Sequence, residues 1–99
     1  MNATPPGMTS NRPYLLRALY EWILDNSMTP HILIDAEIDG VDVPEHAIQK
    51  GKVVLNVADT ATENLRMDNE AVEFKARFSG KPYPIYIPME AIIAIYARE

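Results

Sequence analysis

The stretch Asp35-x-Glu37-x-Asp39-Gly40 has the acidic spacing with which a calcium loop opens. Such a loop needs a carboxylate at its twelfth position. That position is His46, and Glu45 is one residue off. A short apolar run precedes the segment where a helix should stand, so it reads as a solvated strand end and turn. His31 and His46 are the two histidines, and spacing supplies no third ligand beside His31 and Asp35. A structural or surface role is expected for both. The chain has no cysteine, which removes thiolate nucleophiles, disulfides and thiolate metal sites. Ser10, Ser27 and Ser79 fall at a leader, a helix end and a turn, with no Gly-x-Ser-x-Gly elbow. The four glycines are isolated, so no phosphate-cradling loop is present. Catalysis, a metal and a cofactor are therefore not expected.

Two other stretches suit recognition. In Ala71–Phe78 the side chains alternate, with Val72, Phe74, Ala76 and Phe78 on one face and Glu73, Lys75 and Arg77 on the other. Ala76 between two phenylalanines leaves either ordinary core packing or a shallow trough for a guest chain. Asn56-Val57-Ala58 offers a second small-residue rim, and the Asn56 amide can both donate to and accept from an extended peptide.

The elements that must position these residues begin with a helix over Arg12–Asn26. Ser10 or Asn11 is its cap candidate and Pro13 stands in its first turn, where a missing N–H is harmless. At about 100° per residue, Arg17, Glu21 and Asp25 share an arc of roughly 80°, whereas the apolar side chains sweep roughly 240°. A surface helix needs an apolar stripe only a little over ~100° wide. This one has two surfaces to bury, one on its own domain and one on a second copy or another partner. The wheel does not say which is which. Pro30 prevents continuation, and the pattern turns to strands at His31–Ala36, Lys52–Val57, Leu65–Met67, Ala71–Phe78, Tyr83–Ile87 and Ile92–Tyr96, with a brief one at Val41–Val43. Asp39-Gly40, Asp68-Asn69 and Ser79-Gly80 are turn signals. Pro82, Pro84 and Pro88 cannot donate to a ladder, which puts part of their strand at an edge. The fold class expected is mainly β with an N-terminal α-helix, a small two-layer β-sandwich or barrel.

Ninety-nine residues make one small domain, nearly half of it hydrophobic, with Met1–Asn11 as a flexible leader. The net charge of −5 argues against general nucleic-acid binding and against an anionic membrane surface. No basic segment followed by an apolar run opens the chain, and no run reaches the ~18 apolar residues of a membrane span. The expectation is a cytoplasmic protein.

Arg12-Pro-Tyr-Leu-Leu-Arg-Ala-Leu-Tyr-Glu-Trp-Ile-Leu-Asp-Asn26 closely resembles the opening of the stringent starvation protein B (SspB) family. So do Thr29-Pro-His31, Val53-Val-Leu-Asn56, Phe74-x-Ala-Arg-Phe78 and Ala94-Ile-Tyr-Ala-Arg-Glu99, in register over nearly the whole chain. The resemblance implies a non-enzymatic adaptor that binds the ssrA degradation tag and delivers tagged polypeptides to the ClpX unfoldase of the ClpXP protease. It implies a helix followed by a two-layer, Sm-like β structure, and a homodimer joined through the helix, for which Tyr14, Leu15, Leu16, Leu19 and Tyr20 are the interface candidates. It also implies one tag peptide per subunit in a groove. The groove maps onto Asn56, Val57 and Ala58 and onto Phe74, Lys75, Ala76, Arg77 and Phe78, with Lys75 and Arg77 attracting acidic tag residues if they face the rim. Family members continue past the last residues here into an acidic tail that docks on ClpX. Residues 12–99 thus match the folded half without that tail, expected to bind tags without delivering them.

Two other classes compete. An RNA-binding small barrel of Sm or OB type would stack bases on Tyr83 and Tyr86, against the acidic balance. A small enzyme would have to use His31 or His46.

Overall fold

The computed structural model describes residues 7–99. Most of the expected leader, residues 1–6, lies outside the described residues. Helix α1 spans Arg12–Asp25. Asn11 is its N-cap residue without a side-chain cap bond, and the Ser10 hydroxyl instead accepts the Arg12 N–H at 3.1 Å. The helix ends in a Schellman arrangement: the Met28 N–H donates to the Ile23 carbonyl (3.1 Å) and the Ser27 N–H to that of Leu24 (2.9 Å). Ser27 takes the left-handed conformation there that glycine usually supplies, at φ 59°.

Six strands follow, at β1 Thr29–Asp35, β2 Lys52–Asn56, β3 Glu63–Met67, β4 Ala71–Phe78, β5 Lys81–Pro88 and β6 Ile92–Arg98. They form two antiparallel three-stranded sheets, β2-β1-β6 and β3-β4-β5. The brief strand expected at Val41–Val43 is reduced to one bridge, Asp42 with Tyr86. Pro44 follows immediately and removes the next donor, and a 3-10 turn then occupies Glu45–Ala47. β3 starts two residues before the expected Leu65, because Glu63 pairs with Lys75 across a register shift.

The two sheets close on one core. Ile32, Ile34, Val53, Leu55 and Ile92 come from the first sheet, Val72, Phe74, Ile85 and Ile87 from the second, and Leu16 from α1. Full burial of each large aliphatic side chain contributes about 1.5–3 kcal/mol. Arg17 anchors the helix across the sheets, donating to the Met67 carbonyl (3.2 Å) and to Asn69 Oδ1 (3.0 Å), while the Asn69 amide donates to Tyr14 Oη (3.2 Å).

Ser79 and Gly80 both have positive φ, the geometry of a tight two-residue hairpin, and this sets the register Phe78 opposite Lys81. β5 is an outer strand, as its prolines require. Tyr86 spends both its N–H and its C=O on Asp42, so the outer side of β5 belongs to residues 82, 84, 86 and 88. Three of those four are proline, and the one outward N–H between them is already taken.

Candidate peptide-binding cleft

The inward face of the β4–β5 hairpin is a single row of side chains. It begins at Val72 opposite Ile87 and Phe74 opposite Ile85, both pairs sealed in the core. It emerges at Ala76 opposite Tyr83 and at Phe78, all three half-buried. There the row meets the 3-10 turn, and the two walls enclose a cleft of about 710 Å³ lined by Pro44, Glu45, His46, Phe78, Ser79, Lys81, Pro82 and Tyr83. Its apolar part is an aromatic corner. The rings of His46 and Tyr83 both stand edge-on to Phe78, with centroids at 6.0 and 6.2 Å. Tyr83 Oη donates to Asp42 Oδ1 at 2.8 Å. That hydrogen bond, more than burial and the nearby carboxylates, holds the Tyr83 phenol above its ordinary pKa.

Of the eight residues expected in the groove, Phe78 lines this cleft. Ala76 adjoins it through its pairing with Tyr83. Phe74 is 3% exposed and belongs to the core beneath. Lys75 and Arg77 are exposed on the opposite face of β4, and Arg77 donates to the Gly80 carbonyl at 3.1 Å. Asn56 ends β2 in the other sheet, Val57 and Ala58 follow directly after it, and none of the three lines the cleft. Asn56 Oδ1 accepts the Ala58 N–H at 2.9 Å, and Val57 is 0% exposed. Sequence reasoning missed His46 and Tyr83 as cleft residues. The hairpin register could have found Tyr83, because Ser79-Gly80 pairs 78 with 81 and hence 76 with 83. His46 comes from a segment without periodicity, so only tertiary packing brings it there.

The outer face of α1 carries a second surface. Leu16 was expected at the dimer interface, but it is 5% exposed and packs in the core of its own subunit. Tyr20 is half-buried against that core, and burial, followed by the Asp59 charge, raises its phenol pKa. Leu15 and Leu19 instead line a trough of about 510 Å³ shared with Ile93 and Ala94 of β6. Trp22, absent from the expected set, is 62% exposed and borders a smaller hollow with Met28 and Ala97. Tyr14 is also exposed, under the Arg17 guanidinium at 4.8 Å.

His31 is buried, stacks on Tyr96 at 5.8 Å and has Nδ1 at 3.2 Å from the Thr29 carbonyl. Asp35 Oδ1 accepts the Glu37 N–H at 3.0 Å. No group of three or more histidine, aspartate or glutamate side chains suited to a metal is found among the described residues. No helix among them is long and apolar enough to cross a membrane.

Taken together, two small antiparallel sheets under one N-terminal helix define a small, mainly β domain with an open, aromatic-cornered cleft. The chain belongs to the stringent starvation protein B family, whose model matches residues 10–99. It is 51% identical over 88 residues to the stringent starvation protein B homolog of Haemophilus influenzae, covering 89% of this chain and 59% of that relative. The chain thus spans somewhat more than half the length of that protein. Membership supports an adaptor-like role.

Proposed function

We propose that this chain is the tag-binding domain of a dimeric, non-enzymatic adaptor for the ClpXP protease. An extended ssrA-type tag lies in the cleft between the 3-10 turn and the β4–β5 hairpin, against Phe78, His46 and Tyr83. The observation that carries this reading is the emergence of the inward row of β4–β5 at an open cleft that Phe78 lines and Ala76 adjoins, within an SspB-family domain. Lys81 and Glu45 stand on opposite walls and offer one charge of each sign to a passing peptide. A peptide held in an open cleft by a few side chains exchanges fast, which suits handover to an unfoldase.

The outer face of α1 and the adjoining part of β6 pair two copies. This accounts for Leu15, Leu19, Trp22 and Ile93 on one side of a small domain. Delivery belongs to the acidic docking tail that the family carries after the position matching Glu99. Tethering there raises the effective concentration of substrate at ClpX, twice over in a dimer.

The test is fluorescence anisotropy with a labelled ssrA-type peptide. Saturable binding is expected. Ala76→Gln, which puts a longer side chain beside Tyr83 at the edge of the cleft, is expected to weaken binding about tenfold, or ~1.4 kcal/mol, with an unchanged circular dichroism spectrum. Absence of binding to the unsubstituted domain removes the adaptor reading; unchanged affinity in Ala76→Gln removes this cleft.

A further inference from the structure

Asp42 makes three bonds to β5. Its N–H donates to the Tyr86 carbonyl at 2.8 Å, its carbonyl accepts the Tyr86 N–H at 3.1 Å, and its carboxylate accepts the Tyr83 hydroxyl at 2.8 Å. Two residues later the chain becomes the cleft wall that carries Glu45 and His46. Asp42 is therefore the point at which the two walls are joined. The backbone pair fixes where the segment crosses β5. The side-chain bond does something else: it fixes the Tyr83 ring, which stands at 81° to Phe78 and forms one side of the aromatic corner.

We propose that the Asp42–Tyr83 hydrogen bond is a latch that sets the width of the cleft, which makes Asp42 a positioning residue for peptide capture. Without it the Tyr83 ring loses the partner that selects its rotamer, and the wall from Pro44 to His46 is held to β5 by the Asp42 backbone alone. The bound peptide would then have to order both walls itself, a cost that the latch removes in advance. Val43, between latch and wall, is buried in the core, so the segment cannot simply leave. The latch tunes aperture and does not open a lid.

This inference rests on the adaptor reading for its peptide, and the test separates the two. Tyr83→Phe and Asp42→Ala are each expected to weaken binding of the labelled ssrA-type peptide about fivefold, the scale of one net hydrogen bond. The double variant is expected to be no weaker than either single one, because both remove the same bond. Asp42→Asn keeps a carbonyl oxygen that accepts the phenol and is expected to retain near-full affinity, which loss of charge alone would not allow. Amide exchange at Asp42 and Tyr86 is expected to quicken in Tyr83→Phe and Asp42→Ala and not in Asp42→Asn. Unchanged affinity in Tyr83→Phe, additive losses, or an Asp42→Asn as weak as Asp42→Ala would overturn the latch. If the unsubstituted protein binds no peptide, the adaptor reading fails by itself; the exchange rates then decide the latch, and equal rates in all four proteins overturn it.

Discussion

Single residues in this domain act mostly through the backbone turns they close. Asp68 is the clearest case. Its Oδ1 accepts the N–H groups of Glu70 and Ala71, each at 2.9 Å, and Arg66 lies 3.5 Å from Oδ2. Those backbone hydrogen bonds, ahead of the nearby guanidinium charges, hold its carboxyl below the ordinary carboxylate pKa. A pKa lowered by folding stabilises the native state above the unfolded value, about 4, and that contribution disappears as pH falls through the lowered one. Asp68→Ala is therefore expected to melt at a lower temperature at pH 7, with the gap to the unsubstituted protein narrowing in acid. A gap independent of pH would show that the carboxylate charge plays no part. Residues of this kind are legible in a sequence, because Asp-Asn before a strand and Ser-Gly between strands have local mechanisms. His46 was not legible, since its ring partner Phe78 comes from a hairpin more than thirty positions away.

At the scale of elements, the helix shows how far a pattern reaches. The breadth of its apolar arc called for two buried surfaces, and the structure assigns one of them. Leu16 and Ile23 face the core, turned that way by Arg17 gripping Met67 and Asn69, while Leu19 and Trp22 face outward. A wheel could not decide between arcs of equal apolarity. The assignment changes which substitution tests dimerisation. Leu16→Ala is expected to cost about 2–5 kcal/mol in denaturant unfolding, as core truncations do. Trp22→Glu is expected to keep its melting transition and to run as a monomer in light scattering. A dimer mass for Trp22→Glu would place the pairing surface elsewhere. Strand periodicity served well where alternation is clean: β4 matches its expected bounds, whereas β5 begins two residues before the expected Tyr83 and ends one after Ile87, because the tight Ser79-Gly80 turn lets pairing start at Lys81. It failed at Val41–Val43, where Pro44 leaves room for one bridge only.

At the scale of the whole molecule, two three-stranded sheets leave four outer strands, and each is a potential template for another chain. Their treatment was only partly visible beforehand. The three prolines marked β5 as outermost, but the use of its remaining outward N–H by Asp42 depends on the folded arrangement. The consequence bears on behaviour at high concentration. A flank that shows acceptors and has no unclaimed donor cannot be extended by another β-strand in the usual two-way ladder, so copies cannot stack on it into a fibril. Pro84→Thr restores one outward donor, and its purified form is expected to gain thioflavin fluorescence sooner on warming than the unsubstituted domain does. Such a flank keeps one copy of the domain from seeding another through β5.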